Sequence, residues 1–235
     1  MASSLQSNFG FGKDSCLAVI SPNNVNYFSS FFGPNLAGGF TTTVNPLYTH
    51  DEIKKQVVAS GSSVLISHPM TLPNVEPVAK ELDLPLIVFG DKAPEGATTL
   101  SSLIEGGDPS KVKTYPMNPR EDIATLPYSS GTTGPPKGTM CTHRNIVANI
   151  LQSGKGEVDY LNTESVIMSP LPLFHCYALV VGLCSSLSKG SKLVILPSFD
   201  MIKFLELIQT QKANRIHAVP PIILGLTKHP VVDEV

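Results

Sequence analysis

Runs of β-branched or apolar residues recur along this chain, each followed by a segment whose apolar residues fall at helical spacing. Strands alternating with crossover helices pair as a parallel sheet, because each parallel neighbour is reached by a connection that returns to the same end. Cys16–Ile20 reads as a buried strand. A turn at Pro22-Asn23 then leads into an aromatic helix in which Tyr27, Phe28, Phe31, Phe32 and Leu36 recur at helical spacing, a stripe read as core packing. Phe40–Val44 is a second strand, and Thr49 with Glu52 makes a capping box opening a helix that stops at Gly61. Val64–Ser67 and Leu86–Phe89 read as further strands, with a helix over about 74–82 between them.

Gly106-Gly107-Asp108-Pro109, Pro116 and Pro119 then interrupt the pattern and mark a linker or surface crossing over about 106–121. A second alternating set follows: strand Ile123–Tyr128, helix Arg144–Gln152, strand Val166–Ser169, and helix Tyr177–Leu187 closed by Gly190. Strands Lys192–Leu196 and Arg215–Val219 flank an amphipathic helix, Met201–Gln211. The expected fold is α/β, with a largely parallel sheet in each half.

Composition excludes several classes. With 42% hydrophobic residues in 235, the chain is no disordered segment. A net charge of −2 leaves no electrostatic footprint for nucleic acid. The longest apolar run, Ala178–Cys184, is far short of the roughly 18 residues of a membrane span. Cys16, Cys141, Cys176 and Cys184 lie in apolar stretches without C-x-x-C spacing, so a disulfide framework is not expected and a reducing compartment fits. The start lacks the apolar core of a secretory signal, Ala2 excludes myristoylation, and Asp233-Glu234-Val235 is no peroxisomal address. The expectation is a cytoplasmic protein, a longer form being compatible with the peroxisome.

The strand at Ile123 runs into SSGTTGPPKG, residues 129–138. Glycines let backbone N–H groups approach phosphate oxygens and form an anion-binding concavity. Hydroxyls donate to the same oxygens, Lys137 brings a compact positive charge, and Pro135-Pro136 stiffens the exit. A Walker A loop is excluded because Pro136 precedes Lys137 and Gly138 follows it; a dinucleotide fingerprint at Gly10-x-Gly12 fails because Ser15 takes the place of its third glycine. A Ser/Thr/Gly loop is ordinarily just a solvated loop. Here the lysine and the specified positions of GTTGxPKG turn the reading toward a polyphosphate.

The string LPYSSGTTGPPKG, Leu126–Gly138, resembles the AMP-binding signature of the adenylate-forming enzymes, which include acyl- and aryl-CoA ligases, beetle luciferases and peptide-synthetase adenylation domains. TTTVNPLYTHDEI (Thr41–Ile53), THRNIVAN (Thr142–Asn149) and PLPLFHCYAL (Pro170–Leu179) are similar to the 4-coumarate–CoA ligase and luciferase branch. The resemblance implies stacked, largely parallel sheets with crossover helices, forming an incomplete N-terminal adenylation domain. It implies two steps: a carboxylic acid and ATP give an acyl-adenylate and pyrophosphate, then the thiol of coenzyme A displaces AMP. Ser129, Ser130, Gly131, Thr132, Thr133, Gly134 and Lys137 are then the contacts to ATP, with Mg²⁺ as counter-ion.

On the residues alone, His175 beside Leu173 and Phe174 reads as a packed core histidine. In the ligase branch this F-H-x-Y position lines the acyl pocket near the adenylate carbonyl, so the resemblance makes His175 catalytic and places His175, Tyr177 and Val181 at the acid. Cys176 and Cys184 read as small packed hydrophobes, and His143 as helping to start the following helix. His50, His68, His217 and His229 show no ligand spacing, and no metal ligand is assigned. Two positions depart from the branch. Ser198 stands where many CoA ligases carry a basic residue, which speaks against coenzyme A. Val181 stands where coumarate ligases have a small polar residue, which favours a fatty or otherwise apolar acyl group.

The family's G-Y-G-x-T-E and T-G-D segments and its C-terminal domain would follow residue 235. The expected organisation is a residual helix over 1–12 and a partial AMP-binding domain over 13–235, inactive alone, with Arg215–Val219 an inner strand of the full family sheet that is left as an unpaired edge here. Two rivals stay open: a catalytically silent nucleotide- or acyl-binding remnant, and a luciferase-like oxygenase.

Overall fold

A computed structural model describes residues 1–129, 136–154, 161–230 and 232. The chain divides into two units, residues 1–22 with 26–146, and residues 23–25 with 147–235.

In the first unit, helix α1 (Ala2–Phe9) precedes β1 (Cys16–Ile20), α2 (Tyr27–Leu36), β2 (Phe40–Val44), α3 (His50–Ala59) and β3 (Ser62–Ser67). Then come α4 (Leu72–Glu81), β4 (Leu86–Val88), β5 (Thr98–Thr99), α5 (Leu100–Glu105), β6 (Ile123–Thr125), β7 (Tyr128–Ser129), β8 (Lys137–Gly138) and β9 (Cys141–Thr142), and α6 (His143–Gly154) crosses into the second unit. Seven strands form one sheet in the order β5-β4-β3-β1-β2-β6-β9, parallel throughout except for the last pair. All five residues of β1 are buried, as in a strand covered on both faces. Ala18 and Ile20 of β1 pack with Leu65, Val88 and the apolar sides of α3 (Ile53, Val57) and α4 (Val75, Val78). The alternate residues Leu17, Val19, Ile66 and Ile87 face the other way and are buried too.

The capping box forms as read: the Thr49 amide and hydroxyl both donate to the Glu52 carboxylate at 2.8 Å. Only half of the aromatic stripe is core. Tyr27, Ser30, Phe31 and Pro34 share the face that is buried, whereas Phe28 and Leu36, on the adjacent row, are 48% and 68% exposed.

The segment after α5 is a surface crossing, but no boundary between units falls there. Strand β6 joins β2 in the first sheet, and the units part at 146/147, inside α6. Tyr115 anchors the crossing against bare glycines: a Cβ on Gly12 would stand 2.6 Å from its hydroxyl, and one on Gly38 (φ +95°) would collide with its ring. The strand expected over Ile123–Tyr128 stops at Thr125, because Pro127 has no N–H to continue the ladder; Tyr128-Ser129 instead pairs antiparallel with Lys137-Gly138.

In the second unit, β10 (Val166–Ser169), α7 (Ser185–Ser188), β11 (Lys192–Ile195), α8 (Met201–Gln211), β12 (Arg215–Ile216) and α9 (Pro220–Lys228) follow α6. The sheet is parallel, β11-β10-β12. The expected α-helix from Tyr177 to Leu187 is a π-helix over Tyr177–Cys184 before α7. In this wider turn the Ser185 hydroxyl reaches the carbonyl of Val180, five residues back, at 3.2 Å. The strand expected to reach Val219 ends at Ile216 and, among the described residues, pairs only with β10, so its other side is the open edge expected for this chain. Pro220-Pro221 opens α9, where a missing N–H leaves no helical bond unmade.

Candidate functional site

The segment read from sequence as a phosphate loop is paired at its two ends. Ser129 pairs with Lys137, and Tyr128 with Gly138, in the β7–β8 stem. Both Ser129 and Lys137 are exposed, with side chains free to reach a ligand. Gly138 sits close against its partner: a Cβ there would lie 3.1 Å from the Tyr128 ring and press on it. Ser130, Gly131, Thr132, Thr133 and Gly134 lie outside the described residues.

A buried polar network sets where the stem starts. The Thr42 hydroxyl donates to the Leu126 carbonyl at 2.7 Å and accepts from the Gln56 amide at 3.0 Å. The Leu126 amide donates to the Thr41 carbonyl, also at 2.7 Å, and the Thr125 hydroxyl to the same carbonyl at 3.2 Å. Thr41, Thr42 and Thr125 are almost wholly buried, so these bonds run where water does not compete. Together they fix the chain as it leaves the sheet at Leu126-Pro127. Sequence reading took the threonine run only as β-branched strand residues; its signal was hydroxyls in a strand otherwise flanked by apolar ones.

In the second unit, the PLPLFH segment is held by Asn23. Its amide donates to the carbonyls of Leu171 (2.8 Å) and Leu196 (3.0 Å), and its carbonyl accepts from the Leu173 amide (2.6 Å). Asn23 is 5% exposed. Read from sequence as a turn residue, it is a buried clamp, and nothing in its local pattern signals that. From this anchor the chain places His175 at the start of the π-helix. The Tyr177 amide donates to His175 Nδ1 at 3.3 Å, so the neutral ring, its tautomer assigned from that bond, carries its proton on Nε2. The structure corrects the core reading of this histidine: His175 is exposed. Cys176, expected to pack, is exposed as well, its Sγ 3.9 Å from His175 Nδ1; Cys184 is buried, and burial pushes its thiol up to about 12. Tyr177 is partly exposed with its ring 6.0 Å from that of His217, and Val181 is half-buried one turn on.

The chain matches the AMP-binding enzyme family over residues 1–234. It belongs to that family. Among curated relatives, the chain is 37% identical to 4-coumarate–CoA ligase 1 of Petroselinum crispum over 227 residues, covering 96% of the chain and 41% of the relative. It is 37% identical to 4-coumarate–CoA ligase 2 of Nicotiana tabacum over 222 residues, 93% of the chain and 40% of the relative. A red-emitting luciferase of Phrixothrix hirtus superimposes with a TM-score of 0.88 at 29% identity, over 99% of this chain and 46% of that one. A long-chain-fatty-acid–CoA ligase of Archaeoglobus fulgidus gives 0.84 at 27% identity, over 100% and 45%. The chain thus spans about two-fifths of the length of the curated relatives it matches. Among the described residues, no helix is long and apolar enough to cross a membrane, and no three His, Cys, Asp or Glu side chains cluster as a metal ion would need.

Proposed function

We propose that the protein activates a carboxylic acid with ATP and passes the acyl group to coenzyme A. The acid's oxygen attacks the α-phosphorus, and the bond to pyrophosphate breaks. The thiol sulfur then attacks the acyl carbon, and AMP leaves. The observation that carries this reading is the β7–β8 stem, which sets Ser129 and Lys137 opposite each other at the two ends of the glycine- and hydroxyl-rich loop. Lys137, with Ser129 and the loop residues 130–134, serves the distal phosphates and stabilises charge on the departing pyrophosphate. His175 offers Nε2–H to the carboxylate and later to the adenylate carbonyl, and its orientation comes from the Tyr177 amide. Tyr177 and Val181 face the acyl chain, and the apolar Val181 favours an apolar acid. Mg²⁺ would neutralise the phosphates; no cluster of ligands for it stands among the described residues, and no step is assigned to it.

The test is acid-dependent pyrophosphate release and thioester formation by residues 1–235, with Lys137→Ala beside the wild type. ATP binding that needs Lys137 supports the reading. ATP binding indifferent to that change refutes it. Binding without turnover, even in a chain extended to the relatives' length, favours the silent module; light emission with adenylate favours the oxygenase.

A further inference from the structure

Two polar side-chain atoms in the second unit are buried with no hydrogen-bond partner among the described residues: Oγ of Ser169, at the carboxyl end of β10 and 1% exposed, and Nδ1 of His217, just past β12 and 6% exposed. Their strands are neighbours, joined by the bond from the His217 amide to the Met168 carbonyl at 3.1 Å. Both unpaired atoms converge on the bare face of Gly182. A Cβ placed there would lie 3.4 Å from Ser169 Oγ and 3.8 Å from His217 Nδ1. Leaving such groups unpaired in a protein interior is unfavourable, so a stable arrangement has something that bonds to both.

The π-helix relates this spot to the acid. Tyr177 and Gly182 are five positions apart. In an α-helix that spacing turns the two about 140° apart, whereas i→i+5 bonding stacks them on one face. Tyr177 and Gly182 accordingly both look onto His217, whose ring lies 6.0 Å from that of Tyr177. Burial holds the His217 pKa below the ordinary histidine value, so the pair is a neutral imidazole beside a hydroxyl. Such a pair can donate to, or accept from, an uncharged oxygen, and it gives no counter-charge to a second carboxylate.

We propose that Ser169 Oγ and His217 Nδ1 form a polar subsite, opened by the missing side chain of Gly182, for a single hydroxyl or oxo oxygen in the otherwise apolar tail of the acid. The inference rests on the acid-activating reading and narrows its substrate to acids with one uncharged oxygen function beyond the carboxylate. The oxygen replaces water at the pair, and an unsubstituted tail leaves both groups unpaired, which is how a built polar site discriminates.

The experiment compares binding of octanoic acid with that of its singly oxo- and hydroxy-substituted isomers by titration calorimetry. The wild-type chain is expected to favour at least one substituted isomer by about tenfold. Ser169→Ala and Gly182→Ala should bring that ratio close to one. The second change adds a methyl at ordinary contact distance on a helix that tolerates Ala, so the result does not hinge on a misfolded variant. The Nδ1 nitrogen resonance of His217 should move with the preferred isomer and not with octanoic acid. Equal affinity for all isomers, or a preference that survives both variants, overturns the subsite while leaving acid activation standing. A water held by the pair without discrimination has the same meaning. Failure of every acid to bind overturns both.

Discussion

Replacing Asn23 tests the tie between a buried amide and the segment bearing His175. Asn23→Ala removes two donated bonds and one accepted bond, all between 2.6 and 3.0 Å, and leaves the carbonyls of Leu171 and Leu196 and the amide of Leu173 without that partner. At about 1 kcal/mol net per bond, the loss begins near 3 kcal/mol. Unsatisfied buried groups raise it, and water entering the vacated space lowers it again, giving an expected 3–5 kcal/mol. Asn23→Asp keeps an acceptor for Leu173 but sets carboxylate oxygens against two carbonyls, so at neutral pH it should destabilise at least as much as Ala. Protonation of that Asp should recover part of the loss. Because the chain has two units and no tryptophan, the appropriate assay is urea unfolding followed by circular dichroism together with site-resolved hydrogen exchange. Exchange should accelerate around Leu173 and leave β1 and β3 unchanged. A loss below about 1 kcal/mol, or acceleration spread evenly over both units, would refute the clamp.

Lys137→Ala should weaken ATP more than AMP, by about tenfold or more on the ATP side, in calorimetric titrations; equal losses would remove the lysine from the distal phosphates. Thr42→Val, isosteric but without the hydroxyl, should cost about 1–3 kcal/mol in urea unfolding and be non-additive with Gln56→Met, and additivity would show that the two side chains do not share a bond. Val181→Ser should shift acid preference toward hydroxylated aromatic acids by roughly tenfold, read from competition binding; an unchanged profile places the selective wall elsewhere. The pH profile of stability should be two-sided. The hydrogen-bonded Asp51 carboxylate, with Glu81, holds the His50 pKa up, so its contribution is complete below about pH 6.5 and is lost as pH rises through the folded value. Burial holds His68, His143 and His217 down, so theirs is complete above about pH 6.5 and is lost on acidification. His50→Gln should flatten the alkaline limb and His143→Gln part of the acid limb, and unchanged limbs in urea titrations at each pH would contradict the assignment.

Periodicity alone determined where several of the regular elements run. Cys16–Ile20, Phe40–Val44, Val166–Ser169 and Met201–Gln211 fall where alternation and helical spacing put them, because buried parallel strands and amphipathic helices write their environment into every residue. The composition of residues 129–138 is what points to a phosphate loop there, since a backbone that must approach an anion can use few residue types. Tertiary structure decided what depends on partners far along the chain. That Phe28 lies exposed beside buried Phe31 follows from which row of α2 meets the sheet, and both rows are equally aromatic in sequence. That Ile123–Thr125 completes the first sheet follows from its pairing with β2, more than eighty residues upstream. Asn23 reads as a turn residue until Leu171, Leu173 and Leu196 fold around its amide, and Ser169 and His217 are ordinary until Gly182 brings them to one point. Long-range hydrogen bonds leave no local period, so a sequence carries the groups that make them without recording which groups will meet.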